Sequence, residues 1–164
     1  MASPPQSLTT LLARLASSGT DFLLVGGLAA VAQGAPLSTV DVDVVHLRDA
    51  GNVSKLISFL ESVDARYRGR PPGQLLRPTH DALLGDGHHL LTTALGPLDV
   101  LGAIEGGRDY PSLFPDAVTV MVEGLSVRVV RLETLAELKR NSTGAKERLT
   151  FAILEETLRR RSGP

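Results

Sequence analysis

Hydrophobic and polar positions along the chain recur in two spacings, one typical of helices and one typical of strands. Four leucines between positions 8 and 15 lie three or four residues apart, which predicts an amphipathic first helix that ends at Gly19. The short apolar run 21–25 follows this glycine and predicts a buried strand. Helix and strand signals therefore follow each other closely from the start of the chain.

This alternation continues to the end of the sequence. The further predicted elements are a short helix at 28–33, a strand at 40–45, a helix at 52–63, hairpins at 89–101 and 118–130, and helices at 132–140 and 146–160. Strands that alternate with helices predict an α/β or α+β fold, in which helices flank a mixed β-sheet. A chain of 164 residues suits one domain, so we expect residues 1–164 to form a single domain with helices 132–160 packed on it.

Two aspartates stand out in the strand predicted at 40–45. Asp41 and Asp43 are two positions apart, and side chains at that spacing project from the same face of a strand. Valines surround them, so the carboxylates belong to a strand that is otherwise suited to burial. Like charges in a partly desolvated place are costly unless a cation binds between them, and Mg²⁺ prefers oxygen ligands. The pair is a candidate magnesium site, although a solvent-facing edge strand would also explain an isolated Asp-x-Asp.

A third aspartate is predicted to join this pair. Asp99 lies in the apolar run LGPLDVLG, and Gly96-Pro97 is the predicted turn between this run and the run 89–95. If the second strand of this hairpin pairs with the strand of the two aspartates, three carboxylates converge. That is the number of ligands needed to hold two metal ions around a triphosphate. The local alternative is that Asp99 caps the turn.

A glycine pair follows the first predicted strand. Gly26 and Gly27 come directly before the short predicted helix, which Gly34 and Pro36 end. A helix N-terminus with no Cβ in the way offers backbone N–H groups and a favourable dipole to an anion. The glycine pair therefore predicts a cradle for phosphate.

The ordered set of these motifs resembles the nucleotidyltransferase superfamily, which includes DNA polymerase beta and the aminoglycoside nucleotidyltransferases. The resemblance is carried by the glycine pair, a spacer of about a dozen residues, Asp-x-Asp in an apolar strand and a later isolated Asp. Within this superfamily, the phrase LVGGLAAVAQGAPLSTVDVDVV is most similar to small bacterial proteins related to the abortive-infection nucleotidyltransferase toxins. The similarity extends to LDVLG around Asp99, to the segment VEGLSVRVVRLETLAELKR and to the final helix, so it spans most of the chain.

The resemblance implies a minimal nucleotidyltransferase fold and assigns roles to particular residues. It implies that Asp41, Asp43 and Asp99 form the catalytic metal site for two Mg²⁺ ions, and that Asp99 activates the attacking hydroxyl. The residues that it implies for binding the nucleoside triphosphate are Gly26, Gly27, Thr39, Lys139 and Lys146. The implied activity is transfer of a nucleoside monophosphate from an NTP to an RNA end or a protein side chain, in a toxin–antitoxin pair.

Two departures from the family pattern support a competing hypothesis. Relatives often carry an Arg within a Pro-Arg-x-Thr-x-Asp phrase, whereas this chain has Leu37 after Pro36. Relatives also often carry Lys-x-Lys-Asp near the C-terminus, where this chain has Glu147. The competing hypothesis is a nucleotide-binding or partner-binding module that has lost catalysis and acts as an antitoxin-like or regulatory subunit. A small drug as acceptor is a third option, but drug-modifying relatives usually add a second domain to bind the acceptor.

Composition narrows the range of partners. With 17 basic and 18 acidic residues the net charge is -1, so no global basic field attracts nucleic acid, and any RNA contact must be local. The absence of cysteine excludes disulfides, thiol catalysis and zinc–cysteine sites, and agrees with a reducing cytoplasm. No run approaches about 18 consecutive apolar residues, and the start MASPPQSLTT lacks a signal-peptide pattern. We therefore expect a soluble cytoplasmic protein with no membrane partner.

Other polar clusters allow both a structural and a functional interpretation. The histidines and aspartates between 80 and 89 match no closed zinc spacing, and a polar turn around Gly85 explains most of them. The arginines of the irregular segment 66–78 are expected to face solvent, with guidance of a phosphate-rich acceptor as the alternative. The run 159–161 complements the dipole at a helix C-terminus. Lys139 and Lys146 are either exposed helix lysines or phosphate ligands.

Overall fold

The computed structural model of the protein describes residues 4–163, which form an α/β structure. Its helices are α1 (Gln6–Ser17), α2 (Gly26–Ala32), α3 (Ala50–Ser62), α4 (His80–Leu84), α5 (Tyr110–Leu113), α6 (Leu132–Lys139) and α7 (Ala145–Ser162). Its strands are β1 (Phe22–Val25), β2 (Val42–His46), β3 (Arg66–Tyr67), β4 (His88–Thr93), β5 (Gly96–Leu101), β6 (Ala103–Ile104), β7 (Arg108–Asp109), β8 (Ala117–Val122) and β9 (Leu125–Val130).

Seven of these strands form one mixed sheet in the order β3-β4-β5-β2-β1-β9-β8. The pairs β1·β9 and β2·β5 are parallel, and the other neighbours are antiparallel. The predicted fold class, a mixed sheet with flanking helices, is therefore confirmed. Within residues 4–163, no helix combines the length and the apolar character that crossing a membrane requires.

The centre of the sheet is its most buried part, and helices α1, α2 and α5 pack against strands β1 and β2 there. All four residues of β1 and four of the five residues of β2 are buried. Leucines and valines dominate the core, as the low aromatic content requires, and α1 contributes four buried leucines to it. Burial of this kind is the main favourable term in folding.

Register places the aspartates on one face of this central region. Asp43 lies opposite Val25 of β1 on one side and opposite Asp99 of β5 on the other. Because paired residues in a sheet share a face, the side chains of Asp43 and Asp99 project together. Asp41 comes directly before the first residue of β2 and not inside the strand, so the prediction of one strand over both aspartates was wrong by one residue.

The sequence prediction also misplaced the turn of the first hairpin. Thr93 pairs with Gly96, so the turn is Ala94-Leu95, and Pro97 lies inside β5. A proline has no N–H to give to a sheet, yet Pro97 is tolerated because the pairing of β5 with β2 begins only at Leu98. The predicted pairing of the Asp99 strand with the Asp43 strand, by contrast, is confirmed.

The segment 66–78 is also more regular at its start than the sequence predicted. Arg66 and Tyr67 form the short edge strand β3 against β4. The hydroxyl of Tyr67 lies 2.7 Å from Nδ1 of the buried His89, and its backbone N–H donates to the Leu76 carbonyl. These contacts hold the start of the segment against the sheet.

Candidate active site

Three carboxylates meet at the end of the central strands. One oxygen each of Asp41, Asp43 and Asp99 lies within 4.8 Å of the others, and all three residues are half-buried. Among residues 4–163, no other three His, Asp or Glu side chains bring potential metal-binding atoms this close together. The structure therefore brings the three predicted metal ligands to one place.

Burial and mutual repulsion make it unfavourable for all three carboxylates to be ionised at once. Burial, together with the negative charges of Asp41 and Asp99, raises the pKa of Asp43 from 3.8 to about 8. Burial and the charge of Asp99 also raise the pKa of Asp41 above its usual value, and Arg68 and Lys146 oppose that rise. The cluster therefore favours either a proton or another cation over full ionisation.

One oxygen of the central aspartate is also without a hydrogen bond. Oδ1 of Asp43 is buried and has no partner among the described residues. A buried unpaired carboxylate oxygen is expensive, and coordination of a cation removes that cost. Three oxygen donors of this kind suit a hard cation such as Mg²⁺, so the residues present fit the predicted metal.

Arg68 belongs to this site, although the sequence analysis expected it to face solvent. Its Nη2 atom lies 2.6 Å from Oδ1 of Asp99, and its Nη1 atom donates to the Leu91 carbonyl at 2.6 Å. The side chains of Arg68 and Asp99 are 31% and 15% exposed, so this pair is better shielded than the other ion pairs. Neither motif nor spacing indicated this contact, because it depends on the pairing of β3 with β4.

The two glycines of the predicted phosphate cradle differ in their surroundings. Gly26 has φ +71°, and a Cβ at this position would overlap Oδ2 of Asp43. Gly27 has ordinary backbone angles, and a Cβ there would lie 3.1 Å from Oγ1 of Thr39. Gly26 is therefore required by both its backbone and the space beside Asp43, whereas Gly27 is only closely packed.

A cavity of about 450 Å³ opens beside the carboxylates. We call it the carboxylate cavity, and its polar lining residues are Ser38, Thr39, Asp41, Asp43, Glu105, Lys139, Lys146, Glu147 and Thr150, together with Gly26 and Gly27. Every residue predicted to bind nucleotide therefore lines the same cavity. Its other walls are apolar side chains from α6, α7 and the end of β5, which suits the hydrophobic part of a bound ligand.

The two cavity lysines have different neighbours. Nζ of Lys139 lies 2.9 Å from Oε1 of Glu105, a residue that the sequence analysis did not select. Burial acts to raise the pKa of Glu105, but the hydrogen bond from Lys139 and the other charges hold it below its usual value. Lys146 is close enough to Asp41 to lower its pKa. The side chain of Glu147 folds over Gly144 at the N-terminus of α7.

The histidines between 80 and 89 have structural partners. Nδ1 of His89 lies 2.7 Å from the hydroxyl of Tyr67, Nε2 of His88 lies 2.7 Å from the Ala103 carbonyl, and Nε2 of His80 lies 3.1 Å from the Ala50 carbonyl. Side chains that already share hydrogen bonds with the protein are a poor ligand set for a metal. The structural interpretation of these histidines is the better one.

Comparisons with known proteins bear on the fold of this chain. No family model matches the chain, and no curated protein matches its sequence. Among the solved structures that match is the lincosamide antibiotic adenylyltransferase LnuA with lincomycin bound, with a TM-score of 0.61 and 13% identity over 94% of this chain and 98% of that chain. The antibiotic-resistance factor ANT(2'')-Ia has a TM-score of 0.56 and 13% identity over 93% and 85%.

A third match is TM1012 from Thermotoga maritima, described as a candidate nucleotidyltransferase. It has a TM-score of 0.54 and 18% identity over 94% of this chain and 89% of that chain. The protein therefore has the nucleotidyltransferase fold, as its motifs predicted. At these identities the likeness establishes the fold, and the relation to abortive-infection toxins stays a prediction.

Proposed function

We propose that this protein is a Mg²⁺-dependent nucleotidyltransferase that moves a nucleoside monophosphate from an NTP to an acceptor hydroxyl. The observation that carries the proposal is the convergence of Asp41, Asp43 and Asp99 within 4.8 Å, with Asp41 and Asp43 in the wall of the carboxylate cavity. A structural role does not explain a carboxylate cluster in which the pKa values of Asp41 and Asp43 are raised and a buried oxygen of Asp43 is unpaired. A bound cation would remove both costs.

We assign the metal to these three carboxylates. Bound there, Mg²⁺ supplies positive charge that neutralises the triphosphate and the departing pyrophosphate. Two ions are expected, since three carboxylates and the phosphate oxygens together provide enough hard ligands for both.

The nucleotide is assigned to the carboxylate cavity. Gly26 and Gly27 present backbone without side chains beside Asp43, so that a phosphate group can come close to the carboxylate cluster. Thr39 adds a hydroxyl, and Lys139 and Lys146 add the positive charge that a triphosphate requires. In this proposal these groups hold the triphosphate so that its α-phosphorus would lie near the three aspartates.

Nucleotidyl transfer needs a base for the proton of the attacking hydroxyl and a leaving group on the α-phosphorus. The acceptor oxygen forms a bond to the α-phosphorus, the bond between that phosphorus and the bridging oxygen breaks, and pyrophosphate leaves with the electron pair. We assign the proton of the attacking hydroxyl to Asp99, whose side chain is 15% exposed and lies within 4.8 Å of the other two carboxylates.

We propose an RNA end or a protein side chain as acceptor, within a toxin–antitoxin pair, and the cytoplasm, where NTP is available, as the place of action. A small antibiotic is a second candidate, favoured by the match to LnuA. That match covers 98% of LnuA, so the size of this chain is no argument against a drug as acceptor. The module without catalysis is the competing proposal from a different class, and it rests on the two departures from the family pattern.

Transfer of label from nucleotide to acceptor tests these proposals. The purified protein is incubated with each α-labelled NTP, Mg²⁺ and either total cellular RNA, cell protein or lincomycin. We expect label to enter one acceptor class with wild type and with Asp81→Asn, which removes an exposed carboxylate on α4, but not with Asp41→Asn. Nucleotide binding without any transfer would support the module, and the absence of both would contradict the proposed function.

A further inference from the structure

Arg68 is held at three points in the sheet. Its backbone N–H donates to the Leu90 carbonyl at 2.9 Å, and its Nη1 atom donates to the Leu91 carbonyl at 2.6 Å. Its Nη2 atom then reaches across β4 to Oδ1 of Asp99, also at 2.6 Å. The first contact fixes the backbone of Arg68, and the second holds its guanidinium independently of the aspartate that it meets.

This fixed cation restricts the third carboxylate of the site. Asp99 lies opposite Asp43 in the parallel pair β2·β5 and opposite Leu90 on β4. Because Arg68 holds Oδ1, the carboxylate cannot rotate freely, and one of its oxygens lies within 4.8 Å of oxygens of Asp41 and Asp43. Among the ion pairs of the described residues, Arg68 is the partner of Asp99.

We infer that Arg68 is a positioning residue of the candidate metal site, acting on the metal through Asp99. The inference rests on the proposed function, because it assigns a role within the same site. A hydrogen-bond partner that orients a metal-binding carboxylate commonly affects metal affinity almost as much as a ligand does. Arg68 sets the direction of Asp99 before a cation arrives, and so lowers the conformational cost of binding it.

A purely structural role for Arg68 is the competing explanation. An arginine that only fastens β3 to the sheet would need its bonds to Leu90 and Leu91, and the contact with Asp99 would add nothing to metal binding. Arg66 provides the matched comparison, since it has the same charge, lies two residues earlier on the same edge of the sheet and shares the face of Thr92.

Binding of Mn²⁺, followed by electron paramagnetic resonance without nucleotide, separates the two roles. We expect Arg68→Gln to weaken Mn²⁺ binding by about 10- to 100-fold, and Arg66→Gln to leave it within about twofold of wild type. Arg68→Lys keeps a cation at the site but loses the two-point hold, so we expect its affinity to stay about fivefold below wild type. This milder variant also keeps the test valid if Arg68→Gln does not fold.

A double-mutant cycle with Asp99→Asn then shows whether Arg68 acts through Asp99. In the Asp99→Asn background, Arg68→Gln should change Mn²⁺ affinity by no more than about twofold. Unchanged or tighter Mn²⁺ binding by Arg68→Gln would overturn the inference, as would a full effect in the Asp99→Asn background.

The same titration distinguishes failure of this inference from failure of the proposed function. A wild-type protein that binds no Mn²⁺ overturns both the metal site and the role of Arg68. A wild-type protein that binds Mn²⁺ in an Arg68-dependent way but transfers no nucleotide supports the inference and contradicts the proposed activity.

Discussion

Strand β2 carries one polar side chain on each of its faces, and the hydrogen-bonding groups of the two are satisfied very differently. Asp43 projects toward the carboxylate cavity, where its Oδ1 atom has no hydrogen-bond partner among the described residues and two further carboxylates lie nearby. His46, three positions later, projects from the opposite face and is fully buried. Its Nε2 atom lies 2.7 Å from the Leu83 carbonyl, to which it donates.

The difference separates a candidate cation site from a part of the core in which the buried ring already has a hydrogen-bond partner. Burial lowers the pKa of His46, so the ring is neutral and its one unpaired atom, Nδ1, carries no charge. An unpaired neutral nitrogen costs far less than an unpaired carboxylate oxygen. The ionised Asp43 is therefore expected to lower the stability of the metal-free protein. His46 is expected to contribute to stability with or without a cation.

The largest effect is expected from removing the charge of Asp43. Its pKa rises from 3.8 to about 8, and because water in the cavity screens part of this cost, we expect Asp43→Asn to stabilise the metal-free protein by about 3 kcal/mol at pH 8. For a chain of this size that is about 6–12 °C in melting temperature. Thermal melts in EDTA measure it, and the same variant should lose the stabilisation that Mg²⁺ gives to wild type.

Asp81→Asn is the control for this prediction, because Asp81 is exposed and lies on α4, outside the cluster. It should leave both the metal-free melting temperature and the response to Mg²⁺ as in wild type. A metal-free Asp43→Asn protein that melts below wild type would mean that Asp43 stabilises the fold without a cation, and the contrast between the two faces would be lost.

The opposite sign is expected on the other face of the strand. His46→Ala removes a fully buried ring and leaves the Leu83 carbonyl without its donor, so it should destabilise the protein by about 2–3 kcal/mol. Urea unfolding measures this loss, with His88→Ala as the control at an exposed histidine on β4. The Mg²⁺ response of His46→Ala should be that of wild type, and a lost response would connect the two faces.

The glycine pair provides a sharper test of crowding on the aspartate face. Gly26→Ala places a Cβ against Oδ2 of Asp43 at a backbone angle of +71°, so we expect a loss of about 2 kcal/mol and weaker metal binding. Gly27→Ala meets Thr39 at 3.1 Å and needs only a small shift, so its cost should stay below about 1 kcal/mol. Chemical denaturation of both variants, with Mg²⁺ titration, compares them, and equal losses would argue against the overlap at Gly26.

The pH dependence of stability follows from the same contrast. The folded protein keeps a proton on Asp43 that the unfolded chain has lost, so the contribution of this group is complete below pH 3.8 and is lost as the pH rises to about 8. The pKa values of His46 and His89 are lowered, so below pH 6.5 the unfolded chain binds protons that the folded protein does not. These two residues therefore reduce stability as the pH falls below 6.5.

Between pH 6.5 and 8, therefore, the slope reports the carboxylate cluster, chiefly Asp43, and not the two histidines. Urea unfolding in EDTA should show wild-type stability falling by at most about 1.4 kcal/mol per pH unit, and Asp43→Asn should remove that fall. Saturating Mg²⁺ should remove it as well, because the cation takes the place of the proton. A wild-type curve that rises over this range would contradict the raised pKa.

The sequence predicted the parts of this arrangement that depend on local spacing. The aspartate pair, the strand of Asp99 and the glycine pair are each visible as short patterns, and periodicity placed the main helices within two residues of their observed bounds. The sequence could not show that Gly26 is more constrained than Gly27. That difference arises only when β1 and β2 pair and bring Asp43 beside Gly26.

Residues that depend on contacts far apart in the chain were missed for the same reason. Arg68 meets Asp99 across 31 positions and Lys139 meets Glu105 across 34, and no spacing rule connects such pairs. The turn at Ala94-Leu95 was misplaced because Gly-Pro usually indicates a turn, whereas here the pairing of β5 with β2 starts after Pro97. Local patterns identified the candidate metal ligands, whereas only the fold showed which side chains contact them.

The smallest effect is expected at Glu105. This residue lines the cavity, but like His46 it already has a hydrogen-bond partner in the protein. Its bond to Lys139 is 2.9 Å long, and the two side chains are 48% and 30% exposed, so Glu105→Gln should change stability by less than about 1 kcal/mol. The substitution frees Lys139 for the triphosphate, so NTP should bind about two- to fivefold more tightly in a fluorescence titration. Lys139→Met should reverse that gain in the double variant. Weaker NTP binding by Glu105→Gln would instead mean that Glu105 itself contacts the nucleotide, and the aspartate face would then contain a fourth functional carboxylate.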